Sequence, residues 1–186
     1  MNVPFRTLAL AATVAALSAS NAGAQIQPYV GAGILSPSGD FAEYAQSGWL
    51  VFAGAQKPLG MSQRAVGGIT VIYGHADHEG PGSTGTNIPG VTVDFGYALT
   101  AGGRFTPYVR GGVGFIQHRF DPGDTGLEDD SETKFAFGVG GGISTALGSN
   151  TLFVGAHHTG AEDTNFLSFY VGFGLGGGAP TMMRRW

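Results

Sequence analysis

The chain has 186 residues, 34 of them glycine, no cysteine, and a formal net charge of −4. That length favours one domain. The lack of cysteine excludes a disulfide scaffold, the glycines follow no G-X-Y period and so exclude collagen, and 13 Phe with 6 Tyr argue against disorder. The acidic balance (sequence pI ≈ 5.6) speaks against nucleic acid as a partner.

Along the chain, the first feature is an export sequence. Arg6 is the only charge before Asp40, residues 8–17 form an apolar run, and Ala22-Gly23-Ala24 supplies an A-x-A cleavage pattern. The run is too short to span a hydrocarbon core of about 30 Å as a helix. Residues 1–24 are therefore expected to be a signal peptide, with the mature protein starting near Gln25. No later apolar run approaches the length of a transmembrane helix.

Helical periodicity is nearly absent from residue 25 onward. Eight alternating segments, separated by turn residues, are expected to be strands: 26–35, 48–57, 64–77, 88–100, 104–120, 132–147, 151–159 and 165–175. In the fourth, Val91, Val93, Phe95, Tyr97 and Leu99 alternate with Thr92, Asp94, Gly96 and Ala98. In the sixth, Phe135, Phe137, Val139, Ile143 and Leu147 alternate with glycine, alanine and serine. In the eighth, Leu167, Phe169, Val171, Phe173 and Leu175 share one face.

One face is thus large and apolar and the other small or polar with few charges. A soluble barrel binding a small apolar ligand would put the large face inside and needs a polar outside. The opposite arrangement, large residues toward lipid and small ones in a narrow lumen, is that of a transmembrane barrel. Lipid demands closure, because an open edge leaves backbone groups unpaired. The expected fold is all-β: an eight-stranded antiparallel up-and-down transmembrane β-barrel over 25–176, followed by a flexible tail over 177–186.

Short connections (58–63, 101–103 and 148–150) alternate with long polar ones, as expected when the short turns face the periplasm. Twelve of the 13 acids lie in or beside the long loops, the exception being Asp94, while Lys57, Arg64, Arg104, Arg184 and Arg185 lie at the opposite end. Charge confined to the two ends suits a membrane-spanning object.

The stretches "YVGAGILSPSGDFAEYAQSGWLVFAGAQKPLG", "PYVRGGVGF" and "FAFGVGGGISTALG" resemble the outer-membrane β-barrel domain family, the small eight-stranded barrels that include OmpA-like and OmpX-like proteins. The resemblance covers nearly all of 25–176 and rests on strand texture rather than on a catalytic signature. It implies the outer membrane of a Gram-negative bacterium, contact with outer-membrane lipid and lipopolysaccharide, insertion by the barrel-assembly machinery, and a structural, adhesive or surface-interaction role. It also implies a terminal aromatic on the last strand. This chain departs from that by continuing to Trp186, and the tail is read as a flexible basic periplasmic extension, the alternative being that Trp186 supplies the terminal aromatic.

Several residues are candidates for chemistry. Asp94 and Arg110 both point inward. With 101–103 as a three-residue loop they would lie directly opposite each other, a structural interior ion pair, since a buried charge needs a partner. Gating is the sharper alternative. Asp121, Asp124, Glu128, Asp129 and Asp130 form an acidic loop without the EF-hand ligand order, a possible interaction site whose sharper reading is loose divalent-cation binding. His75, His78, His118, His157 and His158 fall near outer strand ends, where a barrel hydrolase would act, yet no serine lies within "HHTGAED". In the stretch that holds Pro37, Phe41, Tyr44 and Trp49, the aromatics are expected in the interfacial girdle, with a hydrophobic contact surface for a partner as the alternative. The glycine runs lack the Lys-Ser/Thr of a phosphate loop.

No catalytic residue, metal ligand or cofactor is assigned. The reading is a non-enzymatic outer-membrane barrel. Its alternatives are a narrow pore, since many inward positions are glycine, or an outer-membrane lipid- or peptide-hydrolysing enzyme.

Overall fold

The computed structural model describes residues 26–60, 64–78, 84–100, 104–121 and 130–175. The expected signal peptide over 1–24 and tail over 177–186, and Asp124, Glu128 and Asp129, lie outside the described residues. Eight strands follow one another: β1 Gln27–Ser38, β2 Gly48–Leu59, β3 Ala65–Asp77, β4 Gly85–Ala98, β5 Phe105–Asp121, β6 Ser131–Leu147, β7 Asn150–Ala161 and β8 Asn165–Gly174. Each pairs antiparallel with the next, and β1 pairs with β8 from Tyr29↔Gly174 to Ser38↔Asn165, closing the barrel. No helix among the described residues is long and apolar enough to cross a membrane.

Register fixes the geometry. The partners of Gln27 run through Gln56, Gly68, Asp94, Gly112, Gly138, Thr159 and Phe166 and return to β1 at Pro37, ten residues above the start. Eight strands with that stagger tilt by about 35–45° and leave an interior that side chains can fill. The wall is uneven in height: β5 and β6 have 17 residues each, β8 only 10.

The large apolar residues face outward. Val93 is 62% exposed, Phe137 56% and Val139 62%. Burying that surface in lipid is the only way to remove it from water, which rules out the soluble barrel with large residues inside. On β6 the outward apolar residues run from Phe135 to Leu147, a climb of about 30 Å at ordinary rise and tilt. At the outer edge of this band Trp49 packs on Tyr73 with ring centroids 5.8 Å apart, and Phe115 on Phe135 at 5.9 Å.

Several inward glycines are the spaces into which neighbouring aromatic rings fit. A Cβ on Gly54 would lie 2.5 Å from the Tyr29 hydroxyl, and one on Gly155 2.7 Å from the Tyr170 hydroxyl. Tyr29, Phe52, Phe153 and Tyr170 meet as one cluster, with centroids 5.5–6.4 Å apart. At the other kind of glycine site, Gly148 adopts φ 64 in the two-residue turn that joins Leu147 to its partner Asn150. That left-handed conformation suits glycine.

Gly54→Val and Gly155→Val should each cost about 1–3 kcal/mol by overpacking, whereas Val93→Leu on the lipid face should stay within about 0.5 kcal/mol. Urea midpoints of the refolded barrel in detergent measure both.

Candidate functional site: the lumen ion pair and the outer mouth

The lumen is crossed by a polar network. Arg110 Nη2 lies 3.0 Å from Asp94 Oδ2 and donates to Thr70 Oγ1 at 3.1 Å. The Thr70 hydroxyl donates in turn to Asp94 Oδ2. Tyr29 Oη stands 2.6 Å from the same Thr70 oxygen. With its one proton given to Asp94, Thr70 accepts from Arg110 and Tyr29, which uses its full capacity. Thr92 Oγ1 donates to the Asp94 carboxylate at 3.2 Å. Every partner comes from β1, β3, β4 or β5, so the network ties one half of the barrel across its own interior.

The register behind this pair differs from the expected one. The β4–β5 ladder ends at Ala98↔Tyr108, extended by Leu99 N–H to Pro107 C=O at 2.9 Å. The connection is therefore longer than three residues. Asp94 faces Gly112 and Arg110 faces Gly96, so the ion pair is diagonal rather than directly opposite. A shift of two keeps both side chains on the inner face. A diagonal neighbour is within reach of an arginine, and a Cβ on Gly112 would run into the Asp94 carboxylate.

Two cavities border this pair. One of about 80 Å³ is lined by Gln56, Tyr108, Ser144 and Thr151, the other of about 60 Å³ by Leu50, Ile88, His157 and Ser168, and both are lined by Asp94 and Arg110. Each has room for ordered water between polar groups. His157, expected at the outer end, instead lines this second cavity. Its Nε2 has no partner among the described residues, and Nδ1 lies 3.4 Å from Thr159 Oγ1. Ser168 is its cross-strand neighbour, a proximity invisible in sequence because the two are joined only by the β7–β8 register. The Ser168 proton goes to the His157 carbonyl oxygen at 3.0 Å, not to the imidazole.

The outer mouth is closed by the β1–β2 connection. A 3-10 turn, Gly39–Glu43, carries Phe41 into the barrel, where it is fully buried. This corrects its assignment to the lipid-facing girdle: one helical turn reverses its direction, a local feature too short to leave a periodicity. Phe41 meets His118 edge-on at 6.0 Å and Tyr44 at 5.5 Å. His78 sits edge-on to Tyr44 at 5.3 Å and stacks on Phe120 at 5.5 Å. Both imidazoles converge on the buried Thr86 hydroxyl, His78 Nε2 at 2.7 Å and His118 Nε2 at 3.4 Å. The backbone latches too, through the Ala45↔His78 bridge and Gln46 N–H to Asp77 C=O at 2.7 Å.

Charge lies at both ends of the band. Outside, Lys134 Nζ bridges Glu132 at 3.3 Å and Asp163 at 3.8 Å, and His75 Nε2 lies 3.2 Å from Asp77. Inside, the Arg64 and Arg104 guanidinium groups lie 5.4 and 5.6 Å from the Tyr97 and Phe105 ring centroids. Of the acidic loop, Asp121 and Asp130 are described, both exposed at the outer rim. Among the described residues no cluster of three His, Cys, Asp or Glu is placed to hold a metal.

The family model for the outer membrane protein beta-barrel domain matches residues 7–176. The chain belongs to this family. Among solved structures, this outer-membrane barrel is similar to Neisserial surface protein A, with 15% identity over 82% of this chain and 97% of that one, at a TM-score of 0.64. It is similar too to the N-terminal β-barrel domain of Pseudomonas aeruginosa OprF, with 12% identity over 82% and 98%, at a TM-score of 0.50. At those identities the likeness is one of fold. None of the curated proteins compared with the chain matches it. Family and fold place the protein in the outer membrane of a Gram-negative bacterium, with the exposed apolar band against its lipid.

Two expectations follow for this outer-membrane barrel. Arg110→Ala leaves the Asp94 carboxylate unpaired in the lumen and should cost about 3–5 kcal/mol, while a double apolar replacement, Asp94→Leu with Arg110→Met, should cost far less; urea unfolding in detergent separates them. At the mouth, burial pushes the His78 imidazole below its ordinary 6.5, helped by His75. A lowered folded value means that His78 contributes fully above about pH 6.5 and loses its contribution as pH falls from there toward the folded value. The Gly39–Glu43 latch should therefore loosen on acidification, read as lower amide protection factors at Ala45 and Gln46 after correction for the intrinsic pH dependence of exchange, and His78→Gln should flatten that dependence.

Proposed function

We propose that the protein is a non-enzymatic outer-membrane barrel that works through its outer rim, in a structural or surface-interaction role. The observation that carries this is the filled lumen: Arg110, Asp94, Thr70 and Tyr29 stand between the two small cavities, and Phe41 caps the mouth. A conducting pore needs a continuous polar path, which these groups interrupt. Nucleophilic catalysis by serine needs an activating imidazole, and among the described residues Ser168, paired in register with the lumenal His157, gives its proton to the His157 carbonyl instead. What remains available to a partner is the rim. There we assign the interaction role to the acidic loop of Asp121, Asp124, Glu128, Asp129 and Asp130, with lipopolysaccharide and a surface partner as its neighbours.

The same reading covers biogenesis. Residues 1–24 would be removed on export, the barrel-assembly machinery would insert the remainder, and 177–186 would extend into the periplasm. Gly176–Gly178 and Pro180 break a strand, and Arg184 with Arg185 suits an aqueous phase better than a lipid face.

In planar bilayers the refolded protein should give no discrete conductance steps; steady steps would overturn the closed-lumen reading. Neutralising the five loop acids to Asn or Gln should leave heat-modifiable gel mobility unchanged and weaken the binding of soluble polylysine to expressing cells. Unchanged binding would remove the loop from the proposed site.

A further inference from the structure

The inner rim carries its charge on one side. Lys57 lies near the inner end of β2, and Arg64 and Arg104 stand just before β3 and β5. The inner ends of β6, β7, β8 and β1 show no charged side chain among the described residues. No carboxylate answers this charge. None of the 13 acids lies between Glu43 and Asp77 or between Asp94 and Asp121, the stretches that hold the three cations. Asp94 itself points into the lumen, where Arg110 holds it.

The register brings the three to one depth. Pairing lines climb outward by ten residues in one circuit of the eight strands, little more than one residue per strand. Lys57 pairs with Gly67, three residues outward of Arg64. Arg104 lies five residues inward of Val109, whose pairing line runs through Tyr97 to Ala65, the neighbour of Arg64. With the climb allowed for, the three Cα atoms fall within about 8 Å of one another along the barrel axis. Long basic side chains close such a gap by snorkelling to a common level.

All three face the lipid side. Lys57 shares its face of β2 with the exposed Val51 and Trp49. The guanidinium groups of Arg64 and Arg104 lie over the rings of Tyr97 and Phe105, and both rings belong to the exposed face. Arg64 Nη2 donates to the Leu99 carbonyl at 2.5 Å, and its Nε has no partner among the described residues. A carbonyl and a ring fix that guanidinium in place without cancelling its charge. Just outward of these groups the wall is apolar, with Ile69, Val93 and Phe95 all exposed.

Cations at the edge of an apolar wall fit a ligand with an anionic head and acyl chains. The opposite rim carries Asp130, Glu132, Glu162 and Asp163 and repels the same head. The anion therefore belongs to the leaflet at this end, where the short connections lie, and in an outer membrane that leaflet is glycerophospholipid. We propose that the β2–β5 side of the inner rim is a binding site for an anionic glycerophospholipid. Its phosphodiester sits between Lys57 and Arg64, and Arg104 widens the positive field toward β5. Its acyl chains lie along Ile69, Val93 and Phe95.

The test is native mass spectrometry of the refolded full chain in neutral detergent, titrated with dioleoylphosphatidylglycerol or dioleoylphosphatidylcholine. The two lipids share acyl chains and phosphodiester and differ in net charge. Phosphatidylglycerol should be retained at least about tenfold more tightly, as expected for two basic side chains near one headgroup. Millimolar inorganic phosphate should not displace it. Lys57→Gln with Arg64→Gln should abolish the preference with heat-modifiable mobility retained, whereas Arg119→Gln at the outer rim should leave it unchanged. Four results would each overturn the proposal: equal retention of the two lipids, a preference that survives the double substitution, a preference lost equally in Arg119→Gln, or displacement by inorganic phosphate, which marks a bare phosphate site. Should the double variant fail to fold, Lys57→Gln with Arg104→Gln, both at exposed positions, takes its place and should lower the preference at least about threefold; an unchanged preference there overturns the proposal too.

Discussion

A backbone that crosses hydrocarbon has no water to satisfy its N–H and C=O groups, so each must find its partner within the chain. In this protein the pairing of β1 with β8, Tyr29 through Ser38 against Gly174 through Asn165, meets that demand. The rest of the architecture depends on that closure. Eight strands with a stagger of ten residues set the width, the width sets how much side-chain volume fits inside, and that volume dictates which inward positions are large.

The consequence is a lumen built by division of labour. A few residues, Tyr29, Phe52, Phe153 and Tyr170 among them, provide the filling, and glycines on facing strands give way to their rings. The ion pair belongs to the same economy of space. Asp94 and Arg110 are tolerated because Thr70, Thr92 and Tyr29 satisfy them, and because Gly112 and Gly96 leave their side chains room. Unpaired, either charge would be a large penalty in such surroundings.

Above the lipid the constraint lifts, and the wall becomes uneven. Water can satisfy an open edge there, so β5 and β6 can outlast β7 and β8. The Gly39–Glu43 turn caps the mouth and covers the β3 side, while β7 stops short of the upper end of β6. Among the described residues, the outer rim is therefore where strand height and exposed charge both vary most from one strand to the next.

The alternation of Val91 through Leu99 against Thr92 through Ala98 was enough to assign strands, faces and the lipid environment, because side chains in a strand alternate strictly between two sides. Strand ends were legible to within a few residues from the turn residues between them, and the inward placement of Asp94 and Arg110 followed from the same parity. Three matters needed the tertiary structure. Register depends on the length of the 99–104 connection, and a slip by two residues preserves every face, so the pattern could not distinguish a direct pair from a diagonal one. Phe41 reads as one more interfacial aromatic until a single helical turn sends it inward. Inward glycine looks like empty space in a sequence, yet only neighbouring strands reveal that Tyr29 or Tyr170 occupies it. Alternation is local and was written in the chain; register, plug and filling are relations between strands far apart in sequence, and only closure of the barrel decided them.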